Sequence, residues 1–334
     1  MIRRRFEVSA EVDNAVAQAL ANCSTALLAV SGGLDSMSLL RAVSRIPRRA
    51  HGRTIVATFD HGTGRAAHHA AELVARESAR LGFECVRGSA TTTGTREEEW
   101  RRARWEFLQG VAALRDASVV TAHTLDDQIE TVFMRILRAA GPRGIAGLYA
   151  ESEIIRPFLG VKRSTLVRYT TENRVRYVQD PSNVDRKHLR NRVRLDILPS
   201  ILKKRPAFPE ELLDLARQAA EWRRSLDDLL PSIDATTERD GALRISRSSL
   251  RGYDAESLRV LWPALAARAS VVMDRRGTHR AAEFTMKGVT GGAIQLSGGV
   301  EIVMSREHML LRRRPVAGGP VSGRMRTPLR EAHA

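Results

Sequence analysis

Short β-branched runs alternate with amphipathic helical stretches through the first half of the chain. Residues 25–31, 54–61, 84–89 and 118–123 read as strands. Helical spacing places Trp100, Ala103, Phe107, Val111 and Leu114 on one face over 98–115. It does the same for Ile129, Val132, Phe133, Ile136 and Leu137 in the helix from Gln128 onward. This alternation predicts an α/β domain with a doubly wound, mainly parallel sheet, which takes its ligands at the carboxyl ends of the strands. Residues 154–159 and 175–180 read as further extended pieces, and the proline-containing stretch 199–209 then interrupts the pattern. Helical patterns over 210–230 and 254–269 and a β-like segment over 293–312, turning at Gly298 and Gly299, predict a second, smaller α+β domain. The expected division is therefore 1–205, 206–312 and a disordered basic tail over 313–334, rich in Pro, Gly and Arg.

Charge adds a partner class to this outline. The 334 residues carry 54 Lys plus Arg against 38 Asp plus Glu, and both halves share the excess. A net charge of +16 attracts polyanions, so nucleic acid leads and an anionic membrane surface comes second. No stretch is long and apolar enough for a membrane span, and no apolar signal region follows Arg3, Arg4 and Arg5. The chain reads as soluble and cytoplasmic. Cys23 and Cys85 form no close pair, which leaves neither a zinc ribbon nor a sulfur relay and favours buried inert thiols.

Five clusters carry candidate chemistry. The strand ending at Val30 runs into Ser31, Gly32, Gly33, Leu34, Asp35 and Ser36, and a helical pattern follows. Two glycines permit a sharp turn that presents N–H groups, the helix N-terminus adds positive potential, and Asp35 suits a metal bridging phosphates. Such a turn also occurs without a ligand. No Walker lysine is present, which argues against ordinary γ-phosphate transfer. The run from His123 to Thr131 places Asp126 and Glu130 on one helix face, where they could meet an ammonium or a metal. Thr124 and Asp127 have capping-box spacing, so Asp127 also reads as a helix cap. Arg101 and Arg104 form a basic face, either solvated or aimed at a departing pyrophosphate. Asp60 and His61 end another strand at the same crevice or simply close a turn. Beyond a turn at Asp180, Pro181, Ser182 and Asn183, a helix over 185–197 carries Arg186, Arg190 and Arg194 as a stripe, either plain surface or phosphate contacts.

In order and composition these segments, together with 138–148 and the run Ile155, Arg156, Pro157, Phe158 and Leu159, resemble bacterial tRNA(Ile)-lysidine synthetases, members of the PP-loop group of N-type ATP pyrophosphatases. The resemblance is close over 25–200 and looser beyond. It departs where Thr124 replaces a common His, Ala139 a Gly, Gln179 a Glu and His188 a Tyr, and where Arg65 is displaced by one place. It implies a Rossmann-like PP-loop fold, ATP and Mg²⁺ as cofactors, and a tRNA(Ile) with a CAU anticodon and free L-lysine as partners. The reaction it implies adenylates the wobble cytidine at its C2 oxygen and then displaces AMP by the lysine ε-amine, which changes decoding from AUG to AUA. By the same resemblance Ser31 to Ser36 bind ATP, with Asp35 and Asp127 on the metal. Asp35, Arg101, Arg104, Asp126 and Asp127 are catalytic, and Asp126, Asp127 and Glu130 receive the lysine. Arg186, Arg190, Asn191 and Arg194 meet the tRNA. A homodimer is compatible with this reading. The alternatives are a tRNA thiolase of the same loop class, for which the cysteine pair is missing, a small-molecule pyrophosphatase, which has no need of so basic a surface, and a catalytically silent RNA-binding protein.

Overall fold

A computed structural model describes residues 2–47, 52–62, 64–90, 97–179 and 184–314. The chain folds as two compact units, Met1–Arg224 and Ser225–Ala334. The first begins with α1 (Ile2–Leu20), β1 (Thr25–Ala29), α2 (Leu34–Arg45), β2 (Arg53–Asp60), α3 (Arg65–Arg80) and β3 (Glu84–Ser89). It continues through α4 (Glu97–Arg115), β4 (Ser118–Val120), α5 (Leu125–Leu137), the short α6 (Pro142–Ile145), α7 (Arg163–Glu172) and α8 (Leu189–Arg192). A π turn (Val193–Ile197), α9 (Leu198–Lys204) and α10 (Phe208–Leu229) follow, and the division between the units falls inside α10. The stretch 199–209 thus lies wholly within the first unit. Pro199 sits at the start of α9, directly after the π turn.

All four expected strands form, and they pair in parallel in the order β3-β2-β1-β4. Strand pleating splits β1 between two cores. Ala26 and Leu28 pack with residues of α1, α2 and α7, while Leu27 packs with Leu108 of α4 and Val119 of β4. Helices therefore cover both faces, as a doubly wound sheet requires. Val8, Val12, Val16 and Leu20 of α1 are buried on one stripe, a helix absent from the sequence reading although its four-residue spacing is regular. The extended piece at 154–159 joins the sheet beside β4, where Thr121 N–H donates to Ile155 O at 2.9 Å. The piece at 175–179 reaches the loop after β1 through Val178 N–H to Gly32 O at 2.9 Å.

The second unit is α+β. An antiparallel sheet in the order β5-β6-β9-β8-β7 comprises β5 (Ala235–Thr237), β6 (Leu243–Ser246), β7 (Ala293–Leu296), β8 (Val300–Met304) and β9 (His308–Arg313). With it fold α11 (Arg247–Leu250), α12 (Ala255–Arg268) and α13 (Arg275–Lys287). Asp254 and Asp274 cap α12 and α13, and the buried Trp262 ties the two helices by donating to Thr285 Oγ1 at 2.8 Å. Gly298 and Gly299 both take positive φ between β7 and β8, where the sequence placed the turn. Most of the tail expected from 313 onward, from residue 315, lies outside the described residues, as does the turn at 180–183. Among the described residues no helix is long and apolar enough to cross a membrane. Cys23 and Cys85 are free and only partly buried, and burial pushes both thiols above their usual pKa.

Candidate active site

The strand order reverses between β1 and β4, so the crevice at their carboxyl ends is the place where a sheet of this kind opens. The segments 31–36 and 121–127 leave those two strands. Gly32 has φ +86°, and a Cβ there would meet Ala70 Cβ of α3 at 2.9 Å, so both conformation and space demand glycine. Ser36 is buried and locks the loop: its Oγ donates to Gly33 O at 3.0 Å and accepts from Ser31 N–H at 3.2 Å. Gly33 opens α2 without a side-chain cap, which leaves the first-turn N–H groups facing the crevice for an anion.

Asp35 stands in the first turn of α2. Its Oδ2 accepts from Arg163 Nη1 at 2.9 Å, whereas its Oδ1 is buried with no partner. Burial pushes its pKa up to about 6 despite the opposing charge of Arg163, with Asp127 and Asp126 adding repulsion. Arg163 also donates its backbone N–H to Asp126 Oδ2 at 2.7 Å, so one residue fastens the two acids. The sequence reading missed Arg163. Its one signal was position, since a cation in the first turn of α7 opposes the helix dipole unless acids face it.

Thr124 and Asp127 form the capping box expected of them. Asp127 Oδ2 accepts from Thr124 N–H and from Thr124 Oγ1, both at 2.9 Å, and its Oδ1 accepts from Arg190 at 2.9 Å and Arg194 at 3.1 Å. Glu130, 2% exposed, accepts from Arg190 Nε at 2.9 Å and from Arg194 through both of its oxygens. Burial opposes the charge on Asp127, yet Arg190, the cap and Arg194 hold its carboxyl below the usual range. Asp127 and Glu130 are thus neutralised within the fold, and the carboxylates that still have open oxygens are Asp35 and Asp126.

On the far side of the crevice Arg101 and the half-buried Arg104 lie close enough for Arg101 to depress the pKa of Arg104, after burial. His123 Nδ1 lies 2.8 Å from Thr121 Oγ1. Burial lowers the His123 pKa to about 4, and Arg156, Arg190 and Arg101 add to the effect against Asp127, so the ring is neutral at pH 7. Asp60 closes a turn, accepting from Gly62 N–H at 2.9 Å with His68 Nδ1 at 3.2 Å, and His61 packs edge-on against Phe59. The residues read as RNA contacts separate. Arg190 and Arg194 face inward onto Asp127 and Glu130, and Asn191 is buried and donates to Asp185 O at 2.8 Å. Arg186 is exposed and pairs with Asp196 at 3.1 Å.

The donor set suits one hard divalent cation held jointly with phosphates. Asp35 Oδ1 is an orphaned carboxylate oxygen beside an anion-ready helix terminus, and magnesium commonly takes one or two protein carboxylates and completes its shell with phosphate and water. Among the described residues no group of three or more His, Cys, Asp or Glu could hold a metal alone.

Comparison with known proteins agrees with this geometry. Residues 6–201 match the family model described as PP-loop domain. A tRNA(Ile)-lysidine synthase of Methylobacterium nodulans is 35% identical over 72% of this chain and 72% of its own length. One of Pectobacterium atrosepticum is 34% identical over 72% of this chain and 57% of its own. The chain spans about half the length of several such relatives. A U34-tRNA thiolase structure from Methanococcus maripaludis shares the fold, with TM-score 0.52 and 15% identity over 64% of this chain and 78% of the other.

Proposed function

The chain belongs to the PP-loop domain family and to its tRNA(Ile)-lysidine synthase branch, and from that membership we propose that it ligates free L-lysine to the wobble cytidine of a CAU-anticodon tRNA(Ile). The observation that carries the chemistry is the uncapped start of α2 with the orphaned Asp35 Oδ1 inside it. ATP phosphates would lie on the first-turn N–H groups between Ser31 and Ser36, with Mg²⁺ on Asp35. Asp127, assigned to that metal by resemblance, already has its oxygens on Thr124, Arg190 and Arg194, so its part is to hold the acidic turn in place. The bound ion would supply charge neutralisation between phosphates.

In the first step the C2 oxygen of cytidine attacks the α-phosphorus and pyrophosphate leaves. In the second the neutral ε-amine attacks C2, the C2–O bond breaks and AMP departs with the oxygen. An ammonium cannot attack, so its proton must first go to a base. Asp126, whose carboxylate accepts only the Arg163 backbone N–H among the described residues, is the acid we assign to the amine. Asp127 and Glu130, fixed by two arginines, shape the floor beneath it. Incubating the protein with labelled lysine, ATP and a CAU-anticodon tRNA(Ile) transcript is expected to place label in the RNA with AMP as the nucleotide product. ADP as product, or unlabelled RNA, would overturn the assignment.

The basic surface is proposed to hold the tRNA, with Arg186 the outward member of its stripe. Arg186→Ala is expected to lower the magnitude of the salt slope of tRNA binding by about 1. A loss of that size in Arg190→Ala instead would show that Arg190 leaves its carboxylates to contact phosphate.

A further inference from the structure

Three guanidinium groups beside the crevice have no carboxylate partner among the described side chains. These are Arg101, Arg104 and Arg156, whereas the neighbouring Arg190 is balanced by Asp127 and Glu130. Arg156 is held firmly. Ile155, the residue before it, is paired with β4 through Thr121 N–H and Val119 O, and Pro157 after it restricts the backbone. Its Nη1 donates to Ser152 Oγ at 2.7 Å and Ile154 O at 3.3 Å, but its Nε is buried and donates to nothing. A buried N–H on a cation without an acceptor is a costly arrangement that a bound anion would relieve. The charges of Arg156 and Arg101 both bear on His123, which places the two guanidiniums within electrostatic range of one side chain at the carboxyl end of β4.

A neutral imidazole adds a polar group without adding charge, so the surplus of cations is left for a ligand. Several convergent guanidiniums match the oxygens of a phosphate far better than a single carboxylate, because each offers N–H groups in a fixed fork. We propose that Arg156 completes, with Arg101 and Arg104, a phosphate-oxyanion pocket beside His123. The pocket is argued from the fixed Arg156 with its buried, unpartnered Nε. The source of its phosphate rests on the proposed function and is either the pyrophosphate leaving ATP or the phosphodiester next to the target cytidine. In the first case Arg156 would stabilise charge developing on the leaving group, and in the second it would seat the nucleotide.

The test uses the full chain and two probes that require no base modification. Magnesium pyrophosphate is titrated by calorimetry, and tRNA binding is measured over a salt series, for Arg156→Gln and Arg156→Lys beside the unsubstituted protein. Arg156→Gln is expected to weaken pyrophosphate binding about tenfold or more if the pocket takes the leaving group. It is expected instead to lower the tRNA salt slope by about 1 if the pocket takes the phosphodiester. Arg156→Lys keeps the charge and loses the fork, so a smaller change in the same probe is expected, and it remains informative should the Gln variant fail to fold. Unchanged binding of both probes in a folded variant overturns the pocket. Since neither probe involves lysine transfer, that result leaves the labelled-lysine experiment to judge the proposed reaction separately.

Discussion

Asp35→Ala is expected to lower tRNA-dependent pyrophosphate release by at least about a hundredfold, while tRNA binding and its salt slope stay close to those of the unsubstituted protein. The reason is local. Asp35 Oδ1 is buried and unpartnered where phosphates would meet α2, and nothing else in the loop supplies a carboxylate. The phosphate N–H groups and the basic surface remain, so binding of the polyanion is not the quantity that should fall. Release of pyrophosphate at near-normal rates would remove Asp35 from the reaction.

The same residue carries a stability signature in the metal-free protein. Its folded pKa is about 6 against an ordinary value of 3.8, with burial the main cause, and its side chain is 21% exposed. A raised folded pKa means that the group's contribution is present in full below the unfolded pKa and is lost as pH rises through about 6. The charged form therefore costs about 3 kcal/mol at neutral pH relative to the protonated one. Stability of Asp35→Asn relative to the unsubstituted protein should then improve by roughly that amount between pH 4 and pH 7. Urea denaturation at the two values measures it, and an equal difference at both would mean that Asp35 titrates normally. Substrate-linked magnesium would reverse the penalty, which is how a site can tolerate an acid that its fold disfavours.

The sheet and the phosphate loop were legible because their signals are local. Strand pleating, helix spacing and two glycines beside a strand end each act over a few residues, and β1 through β4 and the turn at Ser31 to Ser36 formed accordingly. Arg163 was not legible, because it acts on a partner distant in sequence: it reaches Asp35 across 128 positions. The stripe at Arg186, Arg190 and Arg194 shows the same limit from the other side. Spacing gives the face of a helix but not what lies against it, and here Glu130 and Asp127 of α5 lie against Arg190 and Arg194. The π turn was also invisible to a regular helical template. Leu198 N–H bonds to Val193 O across it, and the extra residue in that turn lets both side chains enter one core, which an unbroken α-helix would separate.

Glu130→Gln is expected to destabilise the protein by about 3–5 kcal/mol, the largest stability effect in the first unit's polar network. The substitution keeps shape and removes one charge from a site where Glu130 is 2% exposed and faces two guanidiniums. Asp127 alone cannot balance both. Arg190, with 37% of its side chain exposed, can turn toward water, whereas Arg194 at 24% is less able to, so the loss should be concentrated on Arg194. Adding Arg194→Met to Glu130→Gln should therefore recover part of the loss, with a coupling of about 1–3 kcal/mol in the double-mutant cycle measured by denaturation. Independent, additive effects would show that the pair is not coupled as drawn. If the stable double variant still bound tRNA but had lost lysine transfer, the network's work would be identified as positioning: Glu130 and Asp127 would be acids that hold the 189–197 segment against α5, leaving Asp126 and Asp35 as the carboxylates open to amine and metal.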